Sequence, residues 1–511
     1  MDNRLKPILA KDFWKRIQPQ MNGELSYEFS MSGGGGTYSE DNPAYIGVKQ
    51  SDFMREYDIS GHKIMSPVLY PDIIKIKKEK GGREVMITEK ISRVAFSFQQ
   101  VILTKQLTAL CGNPTKFRVP NAEQNDKVEK DFAQWREGWS ARDMDILIHS
   151  AFESLGKTGD VAIHMYLREG KLDHVIYSYD RGDILYPHYD SKGKLILFAR
   201  KYNSIDEDGN SVSMVDIFDS SNIYTYISTI NSQENEDDSF LPKGFSLIGY
   251  RFVNMLKHGM DQIPIAYHRD ESGAWWTPSQ HTIEEFEWSF SMMAHNNKAY
   301  AFPILVLKGN KIELTNDIVK NTVKAIVMPN ESSDAKYLEP ADSSNSFDMQ
   351  LKKLYDMIFL QSFAVNPPEV RSGDLPGVAI KLLYSPSIEK ASEMAKKLNP
   401  FLDKVVAMFT HIYGVEVNMT KQFLDLNIYA YQVPYVHQND NEIMKNLETG
   451  VLGGFVSKKT ATEESPYSNN NEIQRLKEQE ESLNKQDLLE DIKRPLPRST
   501  QNEITEEEEE V

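Results

Sequence analysis

Between Thr277 and Gly414 the sequence sets long helical periodicities around short interruptions, in an order that few folds accommodate. Thr277-Pro278-Ser279-Gln280 reads as a helix start. Threonine can cap the exposed N–H groups, proline suits the first helical position, and glutamine lies three residues after the cap. Ile283, Phe286, Phe290 and Met293 then mark one apolar face, and Trp288 with Met292 a second. Two strand-like runs follow, Pro303–Leu307 and Ala325–Met328, with a polar stretch between them. Helical spacing returns at Phe347, Leu351, Leu354, Tyr355 and Ile358, and Asn366-Pro367-Pro368 stops it. After the polar loop Glu369–Pro376, a long helical stretch runs from Val378 to about His411. It contains Pro386 and Pro400, each of which removes an intrahelical hydrogen bond, so a kink or a segmented helix is expected.

This order has a physical consequence. A β insert of roughly 40 residues cannot bury a sufficient core alone, and the flanking helices carry apolar residues on more than one face. Both need neighbours. Repeated copies of the same chain supply them economically, and a ring is the closed form of such an assembly.

The rest of the chain is ordinary in composition and unusual in charge. Its 511 residues and 58.6 kDa imply several substructures. An apolar fraction of 40%, with 24 Tyr and 23 Phe, is enough for a real core. Lys+Arg number 58 against 75 Asp+Glu, a formal charge of −17, the wrong sign for a protein that grips DNA by counterion release. One cysteine, Cys111, excludes an internal disulfide framework and fits a reducing compartment. The segment from Met1 to Trp14 lacks a signal-peptide apolar core. No run of about 18 apolar residues occurs, so no membrane span is expected.

Residues 1–60, with Gly33-Gly34-Gly35-Gly36, read as a flexible arm. Helical stretches are expected at 90–112 (Ile91, Val94, Phe98, Val101, Ile102, Leu107, Leu110), at about 121–139 and at about 141–155. From Gly159 the period changes to two. Val161–Leu167, Leu172–Tyr179, Leu195–Tyr202, Val212–Phe218 and Ile223–Ile230 read as one antiparallel meander. The acidic turn Asp206–Gly209 is a hairpin turn and not a calcium loop, since Val215 would occupy the bidentate twelfth position. Residues 437–489 read as helical, with breaks at Gly450, Gly453-Gly454 and Pro466. Beyond Asn471 the tail carries 13 acidic and 6 basic side chains and is expected to be disordered.

Catalytic chemistry is not apparent. The histidines are scattered singly, with no His-Glu-x-x-His and no Cys/His cluster, so no metal site and no cofactor are expected. Asp72 followed by Lys77-Lys78-Glu79-Lys80 lacks the carboxylate placement of a nuclease and reads as an exposed strand end. No Gly-x-Ser-x-Gly elbow occurs. The chain reads as a non-enzyme.

One segment carries a resemblance. Ser372-Gly373-Asp374-Leu375-Pro376-Gly377-Val378-Ala379-Ile380-Lys381-Leu382-Leu383-Tyr384-Ser385-Pro386, followed by Lys390-Ala391, resembles the tunnel loop and following helix of the portal proteins of tailed bacteriophages, of the siphovirus type. There a Ser-Gly-rich loop precedes Gly-apolar-Ala-apolar-Lys-x-x-Tyr, then Ser-Pro and Lys-Ala. Here Asp374-Leu375-Pro376 intervene before the apolar-Ala pair. The element order is similar over roughly residues 85–490.

The resemblance implies an α+β portal fold. Its parts would be an N-terminal arm (1–60), a wing of helices and strands (61–276) and a first stem helix (277–300). A β clip (301–344), a second stem helix (345–366) and a tunnel loop (367–377) would follow. A kinked wing helix with a return strand (378–436), a helical crown (437–489) and an acidic tail (490–511) would complete the chain. It implies a dodecameric ring at one capsid vertex of the virion, assembled in the host cytoplasm, through which double-stranded DNA is packaged and ejected. Implied partners are the terminase large subunit, a head-completion or adaptor protein, the major capsid protein and the scaffold, with no membrane. Arg371, Ser372, Asp374 and Leu375 would face the DNA. Ile304, Val306, Ala325 and Val327 would form the clip, and Phe290, Met292, Leu354 and Ile358 would pack the stem. The competing reading is another phage structural protein: a scaffold, adaptor or tail component.

Overall fold

The computed structural model describes most of residues 50–365 and 382–468; residues 1–49, 229–249, 366–381 and 481–511, and several short turns, lie outside the described residues. In 301–343 only the backbone of short strands is described. The chain divides into two units, one of residues 1–370 with 384–435, the other of 371–383 with 436–511. Helices and strands are mixed throughout the first.

That unit opens on helix α1 (Gln50–Tyr57), two 3-10 turns (Ile59–Gly61 and Lys63–Met65) and a hairpin of β1 (Ile73–Lys78) and β2 (Glu84–Glu89). Residues 50–60 of the expected arm are therefore built into the fold, and residues 1–49 of it lie outside the described residues. Phe53 is buried, and Gln50 Nε2 donates to Asp160 Oδ1 at 2.5 Å. Helix α2 covers Phe98–Cys111, and is followed by β3 (Lys116–Arg118), α3 (Asp126–Ser140) and α4 (Met144–Thr158). The expected helix over 90–112 loses its first turns. Ile91 and Val94 lie in an extended strap whose N–H groups donate to side chains: Ile91 to Asp72 Oδ1 (3.2 Å), Val94 to Ser291 Oγ (3.0 Å) and Phe96 to Glu287 Oε1 (2.8 Å). Donors spent on side chains cannot close helical rings.

The strands form two sheets, not one meander. β4 (Asp160–Arg168) pairs with β5 (Lys171–Tyr177) and, on its other edge, with β11 (Ile265–Arg269). β6 (Ile184–Tyr189), β7 (Leu195–Ile205), β8 (Ser211–Phe218), β9 (Asn222–Ser228) and β10 (Tyr250–Lys257) form a five-stranded antiparallel sheet in sequential order. Alternation along β4 explains the layering. Val161, Ile163 and Met165 face a helical core, while Ala162 joins Tyr177, Phe198, Phe218 and Ile265 between the sheets. The larger sheet breaks register twice: edge strand β10 carries an extra residue between Phe252 and Asn254, and inner strand β7 carries one, Ile196, opposite His188/Tyr189 of edge strand β6, which holds Pro187.

The helical core is closed from far along the chain. After the segment treated below, α7 (Ser385–Glu416) buries Leu398, Phe401, Leu402, Val405 and Phe409 against α2, α3, α4 and β4. Then α8 (Thr420–Asp425) and β16 (Tyr429–Tyr431) follow, the latter pairing with β3. Pro386 sits in the first turn of α7, where no intrahelical donor is lost, so of the two prolines only Pro400 lies inside the helix.

Trp135 and Trp139 of α3 stack on each other (5.3 Å, 23°) and meet Phe409 edge-on. Gly138 lets α3 approach α7, because a Cβ there would overlap the ring of Tyr413, itself stacked on Phe423 at 5.5 Å. Gly138→Ala gains up to ~1 kcal/mol of helix propensity but overpacks a closed aromatic stack, which costs about 1–3 kcal/mol. The expected result is net destabilisation, read as a lower urea midpoint; an unchanged or higher midpoint would show that the stack yields freely.

In the second unit the described helices are α9 (Asp440–Leu452) and α10 (Lys458–Glu464). The first passes through Gly450 unbroken and stops before Gly454, whose φ of 72° permits the turn. Ser457 Oγ caps the second by accepting from Thr460 N at 3.1 Å.

Candidate functional site

The segment whose order constrained the sequence reading folds as two antiparallel helices with a strand insert between them. Helix α5 runs Thr277–Tyr300 and α6 runs Ser344–Ser362. The insert holds β12 (Ile304–Lys308), β13 (Glu313–Leu314), β14 (Ile326–Val327) and β15 (Asp334–Leu338). β12 pairs with β15 and β13 with β14, both antiparallel. Thr277 begins α5 but does not cap it: its Oγ1 is buried without a hydrogen-bond partner, and Ser279 N donates instead to Trp276 O at 2.8 Å.

One aromatic cluster welds the pair to the strap before α2. Ile283 and Phe286 of α5 and Ile358 and Phe359 of α6 are buried with Phe98, Phe53 and Trp276, and Phe290, Leu351, Leu354 and Tyr355 pack at its edge. Phe96 meets Phe290 edge-on at 5.0 Å, and Phe98 meets Phe286 at 5.3 Å. Polar contacts set the register of the two helices: Ser279 Oγ donates to Ile358 O (3.0 Å), and Gln350 Nε2 to Ser289 Oγ (3.1 Å).

A buried charge pair locks the same helix from the other side. His62 Nδ1 lies 2.7 Å from Glu287 Oε1, with side chains only 3% and 2% exposed. Beside it Lys63 Nζ reaches Glu284 at 2.9 Å, Trp276 Nε1 donates to Glu56 Oε2 at 3.0 Å, and Tyr70 stacks on Trp288 at 4.8 Å. Burial alone would pull the His62 ring down, but the hydrogen bond and charge of Glu287 outweigh it, and the ring titrates above its ordinary value. Desolvation pushes the Glu56 carboxyl up to about 7, against the Trp276 hydrogen bond.

The outward face of α6 is different. Met349, Met357 and Leu360 are 63%, 40% and 67% exposed and recur at helical spacing along one side. Exposed Lys353 and Asp356 stand between them, so this side of α6 is mixed and not a continuous apolar patch.

The candidate residues fall in three groups. Ile358 is fully buried within the pair, Phe290 and Leu354 border its cluster, and Met292 is half-buried outside it. Ile304 and Val306 lie on β12 and Val327 on β14, whereas Ala325 lies outside the described residues. Arg371, Ser372, Asp374 and Leu375 also lie outside the described residues. Sequence reasoning missed His62. Its partner is 225 positions away, and no local spacing announces it. Among the described residues no cluster of His, Cys, Asp or Glu could hold a metal ion, and no helix is long and apolar enough to cross a membrane.

Comparison with known proteins places this architecture. The portal protein of Bacillus phage SPP1 is 21% identical over 414 residues, 76% of this chain and 75% of that protein. Among solved structures, a chain from the neck of an empty GTA particle superposes with a TM-score of 0.40 at 9% identity, covering 75% of this chain and 90% of that one. A chain from the virion of a native gene transfer agent particle gives 0.37 at 10% identity, covering 86% and 95%. These superpositions are too loose to carry a conclusion. The model of the family described as phage portal protein, SPP1 Gp6-like, matches residues 58–486, most of the sequence. This chain belongs to that family of phage portal proteins.

Proposed function

We propose that this chain is the portal of a tailed phage: a ring of about twelve copies at one capsid vertex, forming the conduit for double-stranded DNA on packaging and ejection. The observation that carries the reading is the family match across 58–486. The exposure of Met349, Met357 and Leu360 on α6 fits it, since a ring gives these three side chains a neighbour. The charge of −17 per copy also suits a conduit, because each cationic phosphate contact would act as a salt-sensitive brake on a sliding duplex.

In this reading the family is structural, and the motor belongs to a partner. The terminase large subunit docks during packaging, a head-completion or adaptor protein replaces it, and the capsid protein and scaffold surround the ring, assembled in the host cytoplasm. The unit of residues 61–276 acts as the wing, α5 and α6 as the stem, the insert as the clip and α7 as the wing helix. The remainder would be an arm, a crown over 437–489 and an acidic tail. Ile304, Val306, Ala325 and Val327 are assigned to partner contact at the clip. Phe290, Met292, Leu354 and Ile358 are assigned to stem packing, and Arg371, Ser372, Asp374 and Leu375 to the channel lining.

Two measurements test this. Native mass spectrometry or negative-stain imaging should show closed rings of about twelve subunits with a central hole, eleven or thirteen also counting. A single subunit at every concentration and salt would end the proposal. Deleting residues 371–375 should leave the rings intact and cut the yield of packaged genomes by at least tenfold. An unchanged yield would remove the channel assignment of that loop.

A further inference from the structure

The β1–β2 hairpin is a two-stranded ladder with no third strand among the described residues. Its six residue pairs, Ile73↔Glu89 to Lys78↔Glu84, run without a register shift, and neither strand contains proline. Ile74 and Met86 are 64% and 75% exposed. An isolated two-stranded ribbon is marginal in water, and each of its outer edges offers unpaired N–H and C=O groups. The large sheet of the same unit differs, because one of its edge strands, β10, is bulged and the other, β6, holds a proline. The hairpin has neither a bulge nor a proline, and the device its edges do carry is the lysines of β1, which bar a second basic edge.

The two strands carry opposite charge. β1 reads Ile-Ile-Lys-Ile-Lys-Lys and β2 reads Glu-Val-Met-Ile-Thr-Glu, three bases with no acid against two acids with no base. The register inside the hairpin sets these charges opposite one another at a single position. Only Lys78 stands opposite an acid, Glu84, whereas Lys75 stands opposite Ile87 and Lys77 opposite Val85. The base of the hairpin is fixed, with Arg93 Nη2 donating to Tyr70 O (2.9 Å) and Asp72 Oδ1 (2.7 Å), and Tyr70 stacked on Trp288 of α5. Its edges are thus presented from a rigid mount.

We propose that the acidic edge of β2 pairs with the basic edge of β1 in a second copy of this chain, joining the subunits through a continuous β belt. The inference rests on the ring reading above. Rotation about a ring axis keeps β1 of the next copy parallel to β1 of the first. β2, antiparallel to its own β1, is therefore antiparallel to the neighbour's β1 too, and the ladder continues in one pattern. The contact is head-to-tail, as a closed ring requires. A belt of about 24 strands spaced ~4.8 Å apart closes at a radius of roughly 18 Å if upright and about 24 Å if tilted by ~40°.

Complementation by charge reversal in the full-length chain tests it, with ring content read by native mass spectrometry at low salt. Lys75→Glu with Lys77→Glu makes both edges acidic, and Glu84→Lys with Thr88→Lys makes both basic. Each variant alone should lose at least tenfold in ring content, and a one-to-one mixture should recover it, because alternating copies again present opposite edges. Hydrogen exchange should show added amide protection in 73–78 and 84–89 when wild-type subunits assemble. Rings of undiminished yield from either variant alone, or losses that mixing does not repair, overturn the belt and leave the ring reading standing. So does unchanged exchange, or a reconstruction with the hairpins well outside the expected radius. Wild-type chain that never forms rings overturns both.

Discussion

His62→Ala is expected to destabilise the larger unit by about 3–5 kcal/mol, because removing one partner strands the buried Glu287 carboxylate. The Phe96 N–H would remain as a donor to Glu287, one hydrogen bond where a charge had stood. His62→Gln, which can still donate, should lose less. The wild-type protein should also show a pH signature here. The folded-state affinities of His62 and Glu56 for protons are both raised, the latter to about 7. Groups that bind protons more tightly when folded contribute fully below their unfolded values and lose that contribution as pH rises through the folded ones. The packing of α1 and the two 3-10 turns against α5 should therefore weaken between about pH 5 and pH 8. Hydrogen exchange in residues 50–65, with Trp276 emission as a local reporter, would register it. A contribution that grows with pH over that window would contradict the assignment.

Arg200→Ala should cost a similar 3–5 kcal/mol at neutral pH, for a related reason. The guanidinium lies 4.0 Å from the ring centres of both Tyr177 and Tyr202, with Nε 2.6 Å from Asp183 and Nη1 3.7 Å from Asp216. Desolvation already raises both carboxyls, Arg200 opposing it in each, with Thr225 also lowering Asp216. Without the cation they rise further, so the deficit against wild type should shrink as pH falls and the acids protonate. Urea titrations of both proteins at pH 5 and pH 7.5 give the comparison; a deficit that grows on acidification would rule the mechanism out. Arg200→Lys should recover only part of the loss, because an ammonium neither stacks between two rings nor forks toward two acids.

Local patterns were legible where one residue type dictates one backbone, and illegible where distant groups decide. The period-two runs beginning at Val161, Leu172, Leu195, Val212 and Ile223 are strands, the last as far as Ser228, and Gly209, with its φ of 84°, lies between the paired strands β7 and β8; residues 206–208 and 229–230 lie outside the described residues. Their division into two sheets could not be read, because β4 is apolar on both faces and its alternation does not name its neighbours. β6, with Pro187, and β11, only five residues long, gave too little pattern to find. Ile91, Val94 and Phe98 imitate helical spacing, yet side chains of α5 about 190 positions later claim the backbone donors between them. Of the candidate site, the helix–insert–helix order was plain from Thr277 onward. The His62–Glu287 pair that fastens it was invisible, as was the exposure of α6, which depends on which face the partner helix happens to cover.

The placement of α7 has a consequence for how the polypeptide is made. Phe152 rests on Phe401 at 6.0 Å between ring centres, and Trp135 on Phe409 at 5.3 Å, so the oldest part of the core waits for residues added about 250 positions later. At synthesis rates of about 5–20 residues per second, that delay is roughly 10–50 s. Throughout it, apolar surfaces of α2, α3 and α4 stand open on a chain still tethered to the ribosome. Truncations ending before Ser385 should emerge as chaperone clients or aggregates, and never as stable fragments.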